Sequence, residues 1–170
     1  MDIAELILHD HHEQRRMFAF LEDIDRSDTA ALGSVWTRLC ILLEVHAAGE
    51  EELFYPHLLK VGKGAGGETL EDEVRDVIKD HNEIRDAIRQ AGQFPIGSDD
   101  WWQAVRDTNK ANSDHMAEEE RDDLADFRLH APLQLRHDIA VAFARYEAEH
   151  AGGISAVDRD PKTYLDEHMP

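Results

Sequence analysis

Residues 46–52 read HAAGEEE, and residues 115–120 read HMAEEE. In each stretch a histidine precedes a glutamate by four positions: His46 precedes Glu50, and His115 precedes Glu119. Side chains four residues apart share one face of an α-helix, so each pair can direct a nitrogen and an oxygen at one point. Iron, zinc and manganese bind such mixed ligands. One pair alone is typical of a solvated helix surface, but two copies indicate a metal site.

A further histidine precedes each pair at nearly the same distance. His11 lies 35 positions before His46, and His81 lies 34 positions before His115. His11 and His81 are each the histidine of a D-H-x-E-x-R motif. The chain therefore reads as two helical hairpins, each with one histidine on its first helix and a His–Glu pair on its second. Packed with approximate two-fold symmetry, they would bring together ligands for two metal ions. The predicted ligands are His11, His46, Glu50, His81, His115 and Glu119.

Apolar residues recur at helical spacing along most of the chain, and no stretch alternates as a strand would. We expect helices over about residues 2–25, from 28 to about 55, over 69–91, from 99 to near 130, and over 133–150, with an end or kink at Pro56 and a glycine-rich turn at 62–67. The expected fold is all-α, an up-down-up-down four-helix bundle with a short additional C-terminal helix. Residues 1–150 would form the domain, and residues 151–170 a loosely ordered tail.

The composition restricts the partners and the compartment. With 42% hydrophobic and 32% charged residues among 170, the chain is typical of one soluble domain. The formal charge of −19 argues against nucleic acid or an anionic membrane as a partner. We find no apolar run of about 18 residues and no basic leader, so we expect neither a membrane span nor a secretory signal. The lone Cys40, in an apolar run, is expected to be a buried thiol in a cytoplasmic protein. The oligomeric state stays open.

Without a metal, these side chains would be ordinary polar groups. A single inward histidine is more often a satisfied core residue than a ligand, but burying all six groups with no cation would cost roughly 1–3 kcal/mol each. The metal interpretation is therefore favoured. His12 is expected to face outward, and Asp10 and Asp80 to be solvated. For Arg15 and Arg85, surface salt bridges are expected at least as readily as contacts with the site.

The pattern H…HxxxE…H…HxxxE resembles that of the hemerythrin-like, HHE cation-binding domains. The resemblance covers about residues 3–150, and the run EEELFYP at residues 50–56 is also similar to the end of a ligand helix in that family. It implies a four-helix bundle that holds two iron ions (Fe²⁺/Fe³⁺), oxo- or hydroxo-bridged, with the two glutamates bridging them. Functions in the family include O2 binding, oxygen or iron sensing, nitric oxide or peroxide reactions, and repair of iron centres. The fold does not choose among them.

One departure from the family pattern concerns a fifth histidine. Oxygen-carrying members pair the third-helix histidine with another one turn away, but the positions on either side of His81 are Val77 and Arg85. Water, another histidine or the phenol of Tyr55 could take that place. Tyr55 lies nine residues past His46, so on a straight helix it would face away. Only a bend before Pro56 would turn it inward; otherwise it is a boundary aromatic.

Three functional interpretations remain. The first is a di-iron protein that binds or senses a small ligand (O2, nitric oxide or peroxide). The second is a redox enzyme that decomposes peroxide or nitric oxide at that centre. The third is an iron-holding, iron- or oxygen-sensing or structural metal protein without turnover. Ferritin-like storage is disfavoured, because those bundles place Glu before His at three residues and use more carboxylates. A zinc hydrolase is disfavoured because HExxH is absent.

Overall fold

The computed structural model describes residues 1–65, 67 and 69–169, and within that part of the chain it contains helices and no strand. Gly66, in the predicted glycine-rich turn, lies outside the described residues. The elements are α1 (Ile3–Asp23), α2 (Thr29–Gly49), a π-helical turn (Glu50–Phe54), α3 (Tyr55–Val61), α4 (Leu70–Ala91), α5 (Asp99–Arg121), α6 (Asp123–His130), α7 (Leu133–Glu149) and α8 (Pro161–His168). The prediction of an all-α bundle is confirmed.

The four long helices α1, α2, α4 and α5 each begin at a side chain that accepts a hydrogen bond from a backbone N–H of the first turn. This contact satisfies a donor that the helix itself leaves without a partner. The four pairs are Asp2 with Ala4, Asp28 with Ala31, Thr69 with Asp72, and Ser98 with Trp101. Short polar residues before each apolar stripe therefore set where the bundle helices start.

The core consists of two apolar clusters separated by a polar layer. Along α1, Ile3 and Ile7 lie in one cluster and Phe18 and Leu21 in the other, with buried His11 between them. Helix α4 likewise has His81 between residues of the two clusters. In α2 and α5 the histidine follows residues of one cluster, and residues of the other cluster come after it, in the π-helical turn and α3 and in α6 respectively. The apolar layers bury the ends of the bundle, so the polar side chains face one another at its centre.

The second helix does not end at Pro56 but continues to Val61 through the π-helical turn. The backbone N–H of Tyr55 donates to the carbonyl of Glu50, five residues earlier, which is the π-helical pattern. The turn contains one residue more than an α-helical turn. Tyr55, nine positions past His46, therefore points in about the direction that a residue eight positions past His46 would take on a regular α-helix, and this is the face on which His46 lies. This phase shift brings Tyr55 into the core, where it is 0% exposed.

The stretch Thr29–Val61 is, within the described chain, the one helix long and apolar enough to cross a membrane by length and composition. A core helix of a soluble bundle passes the same test, and residues of this stretch pack into both apolar clusters. The absence of a membrane span stays a prediction from the sequence.

Helix α7 packs closely against the ligand helix α2. Gly49 lies at the contact, and a Cβ there would lie 3.0 Å from Cε2 of Phe143. The buried Phe143 ring also stands edge-on to the imidazole of His46, with centroids 5.9 Å apart. A residue without a side chain thus lets α7 cover one side of the polar layer.

The tail differs from the loosely ordered segment that we expected. Helix α8 packs against α4, and Tyr164 is 1% exposed, with its hydroxyl donating to the carbonyl of Glu51 at 2.6 Å. A buried aromatic ring with a satisfied hydroxyl holds the tail against the bundle, although its composition is rich in glycine and charge.

Candidate metal centre

The six predicted ligands meet in the polar layer, all of them buried. They form two groups in which the candidate ligand atoms lie within 4.8 Å of one another. The first group is His11, His46, Glu50 and Glu119, and the second is Glu50, His81 and His115. Both halves of the repeat thus contribute to one centre, with Glu50 shared.

Glu50 presents one oxygen to each group. Its Oε1 lies 2.9 Å from Nε2 of His46, and its Oε2 lies 3.4 Å from Nε2 of His81. Glu119 instead directs Oε2 between His11 at 3.1 Å and His115 at 3.9 Å. A carboxylate can bridge two cations through its two oxygens, and the geometry of Glu50 suits this role.

The donor atoms at the centre fit a cation. Nε2 of His11 and His46, both oxygens of Glu50, and Oε2 of Glu119 are buried, and in the described chain they face other ligand atoms of the centre rather than hydrogen-bonding groups outside it. The Nε2 atoms of His81 and His115 face each other at 3.2 Å. A buried cluster of polar atoms that have only one another as partners is costly, and imidazole nitrogens with carboxylate oxygens suit iron, manganese or zinc.

Each of the four histidines points its other ring nitrogen, Nδ1, at a carboxylate. Such a contact fixes the ring and leaves Nε2 available for a metal. The pairs are His11–Glu120 at 2.9 Å, His46–Asp10 at 3.2 Å, His81–Glu51 at 2.9 Å and His115–Asp80 at 3.7 Å. The prediction that Asp10 is solvated is wrong, since it is buried against His46. Asp80 is only partly buried, and its contact is the longest of the four.

Two arginines hold two of these carboxylates in place. Arg85 donates to Glu51 at 2.7 Å, and Arg15 donates to Glu120 at 2.7 Å. Arg85 is buried, which corrects the expectation of a surface salt bridge. The sequence carried a signal for this layer: the aspartate and arginine of D-H-x-E-x-R and the glutamate after each ligand glutamate are themselves repeated.

Tyr55 also reaches the centre. Its hydroxyl donates to Oε1 of Glu119 at 2.8 Å and lies 3.4 Å from Oδ2 of Asp123. Burial and the nearby Glu119 carboxylate raise the pKa of this phenol well above its ordinary value, so it stays protonated. Burial and Glu119 likewise raise the pKa of Asp123 well above its usual range. The phenol therefore holds the outer oxygen of a predicted ligand.

A profile of the hemerythrin HHE cation binding domain matches residues 2–126. The chain belongs to this family. No curated protein and no solved structure matched it. Membership in the hemerythrin HHE family, together with the His/Glu groups at the bundle centre, indicates that this domain binds a metal cation.

The part of the chain beyond the matched hemerythrin domain contributes to the outer layer. Glu147 of α7 lies beside Asp10 and His46, and burial together with Asp10 raises the pKa of Glu147 to about 7. Arg159, between α7 and α8, donates to Oε2 of Glu51 at 2.7 Å. These two residues could not be inferred from the repeat, because neither belongs to it.

Electrostatics in the metal-free hemerythrin centre favour charged pairs. Burial lowers the pKa of His46, but Glu50 and Asp10 outweigh it and raise that pKa well above its ordinary value. In the same way Glu50 and Glu51 raise the pKa of His81 to about 9. Burial raises the pKa of Glu50, but the two histidines hold it well below its usual range. Metal binding would displace these protons.

Two cavities beside α4 and α5 touch predicted ligands of the hemerythrin centre. One, of about 310 Å³, touches His115 and Glu119, and the other, of about 270 Å³, touches His115. A cavity of about 470 Å³ lies under the C-terminal segment and is lined by Glu51, Arg85 and Arg159 among others, but it touches none of the six predicted ligands. Small molecules and ions therefore approach the predicted ligands most directly from the side of α4 and α5.

Proposed function

We propose that this protein is a non-haem di-iron protein that binds O2, nitric oxide or peroxide at the His/Glu centre. The observation that carries the proposal is Glu50, which faces one ligand group with each of its oxygens. One iron would be held by His11, His46, Glu50 and Glu119, and the other by Glu50, His81 and His115. An oxo or hydroxo bridge would complete the pair of ions.

The two halves differ in their number of ligands, which supports binding of a small molecule at the second one. The group around His81 has three candidate ligands and the other has four. Val77 and Arg85 occupy the positions where the fifth histidine of an oxygen carrier would stand, and Arg85 is bonded to Glu51. A position left without a protein ligand is available to a small molecule.

The iron pair would supply the redox chemistry, and the protein would orient and shield it. Carboxylates at the four Nδ1 atoms hold the imidazoles with Nε2 directed inward. The hydroxyl of Tyr55 holds Glu119, and the apolar clusters above and below limit the access of bulk water. These roles are compatible with peroxide- or nitric-oxide-decomposing activity as well as with binding alone.

Metal analysis combined with optical spectroscopy tests the proposal. We expect two irons per chain, an absorption band of a bridged ferric pair, and a change in that spectrum on addition of azide, nitric oxide or O2 to the appropriate oxidation state. Release of O2 from added peroxide would establish turnover. Iron-loaded protein whose spectrum none of these ligands changes, and which leaves peroxide intact, would refute the binding and enzymatic proposals.

A second candidate is an iron-holding or iron- and oxygen-sensing protein without turnover. The burial of all six candidate ligands favours it, because an enclosed centre slows exchange of ligand and ion. Spectral changes with O2 or nitric oxide but no consumption of peroxide or nitric oxide over many equivalents would support this candidate over the enzyme.

A further inference from the structure

The 310 Å³ cavity beside α4 and α5 is walled largely by carboxylates. These side chains come from α4 and from the end of α5 and the start of α6, and one arginine, Arg121, is among the lining residues. The acidic residues are Glu73, Asp76, Asp80, Glu118, Asp122 and Asp123. We call this space the acidic cavity.

The inner end of the acidic cavity is formed by predicted metal ligands. His115 and Glu119 line it, and both are almost completely buried. Nδ1 of His115 makes no hydrogen bond within the described chain and lies 3.7 Å from Asp80 of the cavity wall, and Oε2 of Glu119 lies 3.1 Å from Nε2 of His11. The carboxylate wall therefore leads to two buried side chains of the metal centre, one with a ring nitrogen that makes no hydrogen bond, which distinguishes it from an ordinary acidic surface.

The 270 Å³ cavity shares Asp80, His115 and Glu118 with the acidic cavity and belongs to the same approach. The 470 Å³ cavity under the C-terminal segment is much less suitable for a cation, and it touches none of the predicted ligands. In the 470 Å³ cavity, Arg85 and Arg159 both bond to Glu51, each at 2.7 Å. Guanidinium groups stay charged at any physiological pH and repel a metal ion. Arg85 is held in place by burial, whereas Arg121 of the acidic cavity is exposed, pairs with Asp122 and can turn toward solvent when a cation takes its place. The C-terminal segment also covers this side, with Tyr164 bonded to the carbonyl of Glu51.

We propose that the acidic cavity is the entry route for a divalent cation into the metal centre, with Asp76, Glu118 and Asp122 as a transient site for the hydrated ion. Oxygen ligands hold hydrated divalent cations loosely, as a route requires. A cleft lined by one sign of charge also raises the local concentration of the opposite ion and its association rate. The proposal rests on the metal centre proposed above.

The test compares the rate of metal uptake by two triple variants of the full-length apo-protein. The route variant carries Asp76→Asn, Glu118→Gln and Asp122→Asn. The control carries Glu22→Gln, Asp23→Asn and Asp100→Asn, which are exposed residues outside the acidic cavity. Both remove three negative charges, so any effect of net charge is matched. Cobalt(II) is the probe, followed by its visible absorption in stopped-flow mixing.

We expect the route variant to take up cobalt roughly tenfold more slowly at low salt, with a weaker dependence on ionic strength. The control should differ from the parent protein by less than about twofold in rate, by the same reasoning. Final stoichiometry should be equal in all three proteins, because the substituted residues are not ligands of the centre.

Equal uptake rates in the two variants, with normal stoichiometry, would overturn the route and leave the metal centre intact. A lower final stoichiometry in the route variant with an unchanged rate would also overturn it, because the residues would then be permanent ligands. Failure of the parent protein to bind cobalt or ferrous iron at all would contradict the metal centre itself.

Discussion

Glu51 offers the sharpest test of the outer carboxylate layer. Its carboxylate is 1% exposed and accepts hydrogen bonds from Nδ1 of His81 at 2.9 Å and from Arg85 and Arg159, each at 2.7 Å. The substitution Glu51→Gln keeps the shape of the side chain. It removes the negative charge and turns one accepting oxygen into an NH2 group that faces donors. We predict a large loss of stability in the metal-free protein and weaker metal binding.

The size of the effect follows from the burial of the partners. Removing one member of a buried ion pair costs about 3–5 kcal/mol. Arg85 is 2% exposed and cannot be rehydrated, whereas the side chain of Arg159 is 35% exposed and can be. We therefore expect the lower end, about 3 kcal/mol, which lowers the melting temperature by roughly 6–12 °C for a domain of this size. Metal affinity should fall by roughly 10–100-fold, as for other residues that orient a histidine ligand.

The internal repeat supplies the matched control, Glu120→Gln. Glu120 bonds to His11 and Arg15 in the same way, but its side chain is 27% exposed and that of Arg15 is 39% exposed. Water replaces much of what is lost at such a pair, so we expect a cost of about 1 kcal/mol or less. Thermal unfolding followed by circular dichroism, and metal competition against a chelator, measure both effects. Equal destabilisation by the two substitutions would refute the reasoning from burial.

Three further predictions concern other parts of the centre. His115→Ala should lose about half or more of the bound iron and lower the melting temperature, while His12→Ala, at an exposed histidine, should keep both; full iron occupancy in His115→Ala would contradict the ligand assignment. Tyr55→Phe removes the hydrogen bond to Glu119 and should cost roughly 1.5–3 kcal/mol in urea unfolding; an unchanged midpoint would show that this bond carries no stability. In the metal-free protein, burial raises the pKa of Glu51, but His81 and Arg85 outweigh it and hold it below its ordinary value. The stabilisation that the ionised Glu51 carboxylate provides is fully present above its pKa in the unfolded chain, about 4.3, and is lost as the pH falls through its lower pKa in the folded protein. Because Glu51→Gln has no such carboxylate, this variant should lose less stability on acidification than the parent protein.

The fold and the position of the candidate ligands could be predicted because both depend on local periodicity. Spacings of four along a helix place His46 with Glu50, and the matching distances before them place His11 and His81 at the same level. The position of Tyr55 could not be derived in this way. Its inward direction depends on the π-helical turn at Glu50–Phe54, and straight-helix spacing takes no account of an extra residue in a turn.

The outer carboxylates show a different limit of reasoning from sequence. An aspartate or glutamate on a helix, considered alone, is more often solvated than bonded to a buried histidine. For that reason the sequence predicted a solvated Asp10. Glu51 bonds to a histidine 30 positions away, in the other half of the repeat, so no spacing within one helix reveals the pair. The repeat itself was the useful signal, since a residue that recurs beside both ligand sets has the same neighbours in both.

The departures from symmetry concern mainly the second ligand group. The repeat makes Glu51 and Glu120 equivalent, but Arg159 bonds to Glu51, while in the described chain Glu120 is bonded by His11 and Arg15. Arg159 lies beyond the matched family domain, so a segment outside the repeat adds a positive charge behind His81 alone. That charge draws electron density away from the imidazole through Glu51. The half with fewer protein ligands would therefore hold the more electron-poor metal, and this is the half where we place the small-molecule ligand.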